Sequence, residues 1–290
     1  MIALSSLIEN RVVLGNLENY AAIIGISPSN GARSPKLWNS VFQDCNLNCK
    51  MIPLDVTDDK IINLLSHLNQ DQRFLGGAIA VPYKEKVVKW LGSRITPEAK
   101  KIGAVNSLYR GLDGQLYGAN TDGEASLATF LNKFGSLNSK SIMILGVGGA
   151  GKAVASYFAN SSKSTIIISR SKDGEKYADK ININWDNWSQ IDKYLKSIDI
   201  IINCTSVGFG DQRMESPLSE SQLENLNKST IVFDIIYQPL KTKLLEMAEK
   251  KGLSIFNGLE MNLEQAVLAY EYAIKSDKSL DKIRKIMSQI

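Results

Sequence analysis

The sequence predicts an α/β fold of parallel architecture in two domains. Three observations predict it. Short β-branched runs alternate with helical stretches along most of the chain. The length of 290 residues is roughly two domains. A glycine spacing at 146, 148 and 151 follows one apolar run and opens a helical stretch. A hydrophobic share of 44% with 22% charged residues is ordinary globular composition.

In the first half, 20–26, 50–55 and 75–81 read as strands, separated by helical segments near 34–45, 57–70 and 83–91. The segment 57–70 is amphipathic, with Thr57 as its expected N-cap. Residues 104–110 and 115–119 form a predicted hairpin around the turn signal Asp113-Gly114, and the polar stretch 132–140 closes this half. A second series follows, with strands at 141–145, 164–169, 199–203 and 230–235 and a further candidate at 253–256. Helices near 151–160, 190–197 and 241–251 fill the gaps, and 261–275 and 279–288 end the chain as helices. The two domains are expected to join near 121–135.

Composition excludes several functions. The 34 Lys+Arg and 30 Asp+Glu are spread along the chain, so the net charge of +4 gives nucleic-acid binding no basic face. No apolar run approaches the ~18 residues of a membrane span. The first nine residues lack a basic region and are cut short by Glu9, which predicts no signal peptide. Cys45, Cys49 and Cys204 contain no Cys-x-x-Cys and have no histidine cluster, so no metal site is expected. Three thiols in a long chain point to a reducing, cytoplasmic setting. His67 stands alone in its helix, and histidine-based nucleophilic catalysis would have to run through it.

The chemistry concentrates at the glycines. Ser141-Ile142-Met143-Ile144-Leu145 runs into Gly146-Val147-Gly148-Gly149-Ala150-Gly151-Lys152. The first glycine of such a loop permits a tight turn, the second lets a pyrophosphate approach the backbone, and the third allows helix and strand to pack closely. The helix N-terminus then offers N–H groups and a positive dipole end to the anion. With a second strand following, this predicts a dinucleotide-binding domain of Rossmann type. Sites for NAD carry an acid at the end of that second strand, to accept from the ribose 2′-OH. This chain has Ser169-Arg170-Ser171-Lys172 there. A guanidinium suits a 2′-phosphate, so the predicted cofactor is NADP.

A hydride-transfer enzyme also needs a proton donor, and two segments offer one. Lys84 follows a strand end in Val81-Pro82-Tyr83-Lys84, and Asp122 lies in the polar turn Asn120-Thr121-Asp122-Gly123 at the domain junction. Both are expected to face a cleft between the domains. Residue type alone does not single out either one, since lysines and aspartates are plentiful.

These segments together resemble the shikimate dehydrogenase family from about residue 20 to 272. The resemblance is carried by Gly25…Ser34-Pro35, Val81-Pro82-Tyr83-Lys84, Gly103-Ala104-Val105-Asn106-Ser107, Asn120-Thr121-Asp122-Gly123 and the glycine loop. It continues through Asn203-Cys204-Thr205-Ser206-Val207-Gly208, Asp234-Ile235-Ile236-Tyr237-Gln238-Pro239 with Thr242, and Gly258-Leu259-Glu260-Met261 with Gln265. It implies a substrate-binding domain over 1–122, completed by the C-terminal helices 262–290, and an NADP-binding domain over 123–261. It implies that Lys84 and Asp122 form the catalytic pair. Ser34, Asn106, Tyr237 and Gln265 would meet the substrate. Gly146, Gly148, Gly149, Ala150, Gly151, Ser169, Arg170, Thr205, Val207 and Gly258 would hold NADP. The implied reaction is reversible reduction of 3-dehydroshikimate, a step of aromatic amino acid biosynthesis. The implied partner is a small-molecule substrate, with the enzyme a monomer or homodimer.

The chain also departs from the family. The family's first loop usually reads Ser-x-Ser-Pro where this chain has Ala32-Arg33-Ser34-Pro35, and its usual Asn-Val-Thr is here Ala78-Ile79-Ala80. Ser29 and Asn30 are the polar side chains at hand to compensate, and Arg33 is the cation at hand to grip a carboxylate. Two other readings therefore stand beside the first. One is a paralogue reducing a different ring or polyol; the other is a ligand sensor without catalysis on the same fold.

Overall fold

The structure is a computed structural model and describes residues 3–290. It divides into two compact units, one running up to Thr121 and resuming over Leu263–Ile290, the other comprising Asp122–Asn262.

The sheet of the first unit is built from β1 (Asn19–Gly25), β2 (Cys49–Asp55), β3 (Phe74–Ile79), β4 (Ser107–Arg110) and β5 (Leu116–Ala119), in the order β2-β1-β3-β4-β5. The first three strands are parallel, and the predicted hairpin adds β4 and β5 antiparallel. β1 is buried on both faces and accordingly reads as a nearly continuous apolar run. Its side chains alternate: Ala22 and Ile24 join one apolar cluster, Ala21 and Ile23 the other. Gly76 and Gly77 have φ of +140° and +144°. A side chain on Gly77 would run into the Ala22 carbonyl and one on Gly76 into the Leu108 carbonyl, so only glycine lets β3 lie this close to both neighbours. The helices of this stretch are α1 (Ser34–Asp44), α2 (Ile61–Gln70), α3 (Lys84–Leu91) and α4 (Pro97–Ile102).

The second unit has β6 (Ser141–Leu145), β7 (Ser164–Ser169), β8 (Asn184–Asn187), β9 (Ile200–Asn203), β10 (Ile231–Asp234) and β11 (Ser254–Asn257), all parallel, in the order β11-β10-β9-β6-β7-β8. Counted within the unit this is the doubly wound dinucleotide-binding order, with its switch point between β6 and β9. Its helices are α5 (Asp122–Phe134), α6 (Gly149–Ala159), α7 (Asp173–Ile181), α8 (Glu220–Glu224) and α9 (Lys243–Lys250). One face buries Met143, Leu145, Ile201 and Val232 against α9. On the other, Phe130 sits 5.6 Å from Phe158 and 5.9 Å from Phe233, tilted or edge-on as aromatic quadrupoles prefer.

Two helices end the chain, α10 (Leu259–Ala273) and α11 (Leu280–Met287). From Leu263 onward they close the first unit: Ala266, Tyr270 and Ile283 pack with Leu37 and Trp38 of α1, and the Trp38 indole donates to the Ala266 carbonyl at 3.1 Å. Among the described residues no helix is long and apolar enough to cross a membrane.

The structure departs from expectation in several places. The helix expected from Thr57 starts at Ile61, because 58–60 form a separate turn in which the Lys60 N–H bonds to the Thr57 carbonyl at 3.1 Å. His67 is half-buried on it. Residues 190–197 form tight 3-10 turns instead of an α-helix. The stretch 121–135, read as a junction, is largely α5. Its Ser126 and Thr129 hydroxyls bond back to the Gly123 and Ala125 carbonyls, both at 2.8 Å, so residues that look like loop are buried within a helix. Unanticipated elements are α4, α7, α8 and β8; β8 reads Asn-Trp-Asp-Asn, without the apolar alternation that marks a strand.

Candidate active site

In the first unit the candidate residues gather at the carboxyl ends of β1 and β3. Lys84 is the first residue of α3 and is half-buried. Its position is fixed from both sides: the Tyr83 hydroxyl bonds the Val56 carbonyl at 2.7 Å, and the Val105 N–H bonds the Lys84 carbonyl at 3.0 Å. Asn106, 2% exposed, is the hub of a polar network. Its amide donates to Thr121 Oγ1 at 2.9 Å and lies 3.5 Å from Gln265 Oε1, while its Oδ1 accepts the Thr121 N–H at 2.8 Å. The Thr121 hydroxyl reaches the Gln265 carbonyl at 3.1 Å. Asn106 and Gln265, 159 positions apart, thus meet within one unit because α10 returns to it.

Ser34 begins α1 and is buried. Ser29 does not fold in beside it: its N–H donates to Asp55 Oδ1 at 2.9 Å and its hydroxyl to Asp55 Oδ2. Asp55, at the end of β2 and 8% exposed, therefore takes both donors of Ser29. Ala32, Ala78 and Ala80 belong to the apolar cluster beneath α10. A separate groove of about 480 Å³ opens at the opposite, amino-terminal end of this sheet, among Asn19, Cys49, Leu75 and Tyr272, and contains none of the candidate residues.

In the second unit the glycine loop has the geometry an anion needs. Gly146 adopts a φ of +88°, and a side chain there would come within 2.8 Å of Thr205 Cγ2. Gly151 packs so closely that a side chain would strike the Gly146 carbonyl. Gly148 is different: nothing lies within 4 Å of where its Cβ would be. It is the N-cap of α6 and supplies no side-chain cap, so no capping side chain takes the first-turn N–H groups of Gly149, Ala150 and Gly151. These features fit a pyrophosphate. At the end of β7 Ser169 is buried and its hydroxyl already taken, accepting from Trp185 Nε1 at 2.8 Å and donating to the Ser171 carbonyl at 3.0 Å. Arg170 beside it is exposed.

Asp122 is not in a polar turn, as expected, but is the first residue of α5, 5% exposed. The close approach of α6 to α5 requires the next residue to be glycine: a side chain on Gly123 would meet the Tyr157 ring and the Ala153 carbonyl. Tyr237 follows β10 and also belongs to this unit, whereas Ser34, Asn106 and Gln265 belong to the other.

A network that residue type alone did not reveal organises the loops beyond β9 and β10. Asn203 Oδ1 accepts the Thr205 N–H at 3.0 Å and hydroxyl at 2.7 Å, and Thr205 Oγ1 accepts the Val207 N–H at 3.1 Å. The Asn203 amide donates to Asp234 Oδ1 at 3.1 Å, which also takes the Ile236 N–H, while Asp234 Oδ2 takes the Thr242 hydroxyl at 2.7 Å. Burial pushes the Asp234 carboxyl up to about 6, against the pull of these donors. Burial, with Asp234 and Asp122 nearby, pushes the Cys204 thiol up as well, so it is no nucleophile at neutral pH. Gly258 completes the rim; a side chain there would collide with the Ile235 carbonyl. In the sequence Thr121, Asn203 and Asp234 stand only as parts of motifs, and nothing in the chain order marks them as hydrogen-bond partners.

Residues 23–108 match the family model described as shikimate dehydrogenase substrate binding domain, and residues 128–239 that described as shikimate / quinate 5-dehydrogenase. A shikimate dehydrogenase (NADP(+)) of Pyrococcus furiosus is 30% identical over 266 residues, covering 91% of this chain and 93% of its own. One of Alkaliphilus oremlandii is 32% identical over 286 residues, covering 95% and 98%. Among solved structures, a shikimate dehydrogenase in complex with NADP+ superimposes with a TM-score of 0.81 at 26% identity, covering 93% of this chain and 95% of that one. By sequence, fold and strand order alike, the chain belongs to the shikimate dehydrogenase family.

Proposed function

We propose that this protein is an NADP-dependent dehydrogenase acting on a CH–OH group, with reversible reduction of 3-dehydroshikimate to shikimate as its reaction. The observation that carries the reading is identity of about 30% over nine-tenths of the chain to enzymes named for that activity and cofactor. The open backbone at Gly148 supports it independently, since an anion can approach there and a side chain is not needed for anything else.

NADP, when bound, supplies or accepts the hydride. The chain's own residues do the rest. Lys84 gives a proton to the carbonyl oxygen as the ketone becomes an alcohol and takes it back in the reverse direction; Asp122 is the other member of the catalytic pair. Asn106 and Gln265 hold ring hydroxyls; the Thr121 contacts fix the orientation of the Asn106 amide, and the Thr121 hydroxyl also bonds the Gln265 backbone carbonyl. Ser34 and Tyr237 contact the substrate. The N–H groups of Gly149, Ala150 and Gly151 take the pyrophosphate, Arg170 the 2′-phosphate. Ser169 shapes the turn that carries Arg170, and Thr205, Val207 and Gly258 form the wall beside the reacting ring of the cofactor. Three free thiols support a cytoplasmic setting.

The test is direct. Purified protein with NADPH and 3-dehydroshikimate should consume one NADPH per ketone reduced. A protein that binds NADP but oxidises no NADPH with this or any related ring ketone would contradict the assignment.

A further inference from the structure

The polar network and the wall facing it differ in chemistry. Both lie on the face of the first unit's sheet that α10 covers. Asn106, Thr121 and Gln265 are densely hydrogen-bonded. The other side of the same strand end is made of methyl groups. Ala78 and Ala80, two residues apart at the end of β3, share that face and join Ala32, Leu263 and Ala266 in one apolar cluster. Ala78 is buried, while Ala32 and Ala80 keep part of their surface accessible.

Two further observations show that neither Ser107 nor Ser29 lends polarity to this wall. Ser107 stands directly opposite Ala78 in the β3–β4 pairing, so their side chains share a face, and the Ser107 hydroxyl is buried without a hydrogen-bond partner. A polar side chain at position 78 would have served it. The loop serine that could have turned inward, Ser29, is held by Asp55 through both its N–H and its hydroxyl.

A carboxylate pressed against such a wall would lose water and gain no donor from it. We infer that among ring ketones this site favours those that present an uncharged, apolar edge to Ala32, Ala78 and Ala80 over the carboxylate-bearing 3-dehydroshikimate, while their hydroxyls meet Asn106 and Gln265. The inference rests on the dehydrogenase reading: the hydride and proton chemistry stays the same, and what it adds is the order in which the site ranks its ketones. Each charge-assisted hydrogen bond a carboxylate would miss is worth on the order of tenfold in affinity or more.

The experiment compares 3-dehydroshikimate with the uncharged dihydroxy ring ketone that lacks its carboxylate, using the native protein and NADPH. In parallel, calorimetry in the presence of NADP+ compares shikimate with the corresponding uncharged triol. The inference expects kcat/KM at least tenfold higher, and binding at least tenfold tighter, for the uncharged member of each pair. It expects Ala32→Ser with Ala80→Thr to raise kcat/KM on 3-dehydroshikimate about tenfold without changing the Kd for NADP. Preference of the native protein for the carboxylate compounds overturns it. So does a carboxylate preference that disappears in Arg33→Ala, which would make Arg33 the seat of the anion. Should neither ketone be reduced, the dehydrogenase reading falls, and the calorimetric ratio still decides the ligand class: triol tighter supports the inference, shikimate tighter overturns it.

Discussion

Asn203 donates its side-chain amide to the buried Asp234 carboxylate at 3.1 Å, and this contact ties together the ends of two neighbouring parallel strands, β9 and β10. Asn203 holds Thr205, which holds Val207; Asp234 holds Thr242 and the Ile236 N–H. The loops proposed to flank the cofactor's reacting ring thus rest on one buried carboxyl group.

That carboxyl makes stability depend on pH in a defined direction. Its folded-state value of about 6 lies above the ordinary 3.8, so the folded protein binds the proton more tightly. The stability gained is complete below about pH 4 and is lost as pH rises through about 6, amounting to about 3 kcal/mol. The unfolding free energy of the native protein minus that of Asp234→Asn should therefore fall by up to about 3 kcal/mol between pH 4 and pH 7. Urea denaturation across that range measures it, and a difference that stays flat would show that Asp234 titrates normally.

The glycine loop separates binding from folding. Gly148 has φ −68° and ψ −176°, which any residue adopts, and its Cβ position is empty. Gly148→Ala should leave unfolding within about 0.5 kcal/mol of native. It should weaken NADP binding at least about tenfold, since the methyl stands where a phosphate must approach the backbone. Gly151→Ala, whose side chain would strike the Gly146 carbonyl, should instead destabilise by about 1–3 kcal/mol. Thermal unfolding and calorimetric titration of the two variants distinguish these effects; equal loss of stability in both would refute the assignment of Gly148 as the point of phosphate approach.

Cofactor preference should reside in Arg170, exposed at the end of β7, because its neighbour Ser169 has no hydroxyl to spare. Arg170→Ala should lower the NADP over NAD ratio of kcat/KM by roughly ten- to a hundredfold, the worth of a charge-assisted contact. An unchanged ratio would move the 2′-phosphate elsewhere.

The elements legible in the sequence were those with apolar periodicity. The runs that became β6, β7, β9 and β10 are dense in Ile, Val and Leu, and the glycine spacing marked the start of α6. What escaped was polarity hidden by local bonding. α5 looks like a linker because Ser126 and Thr129 satisfy their hydroxyls on the preceding turn, and its Gly123 looks like a turn residue although it serves helix packing. β8 escaped because it lacks an apolar alternation. The buried networks escaped for another reason: Asn203 and Asp234 meet only once β9 pairs with β10, and Asn106 meets Gln265 only once α10 closes the first unit. Resemblance named Asn106 and Gln265 as substrate contacts, but not the Thr121 hydroxyl that joins the Asn106 amide to the Gln265 backbone carbonyl. The alanines at 32, 78 and 80 were visible from the start, whereas the commitment of Ser29 to Asp55 and the orphaned Ser107 hydroxyl needed the fold.

The central claim is that Lys84 moves the proton in an NADP-dependent ketone reduction, and one comparison tests it most directly. Single-turnover NADPH oxidation with a saturating ring ketone is followed for the native protein and Lys84→Ala, with the Kd for NADP measured on both. The account predicts a rate lowered by about 10²–10⁴-fold in the variant, the range of a lost general acid, with the Kd for NADP within about twofold of native. A Lys84→Ala protein that turns over at close to the native rate, with its cofactor bound normally, would contradict it.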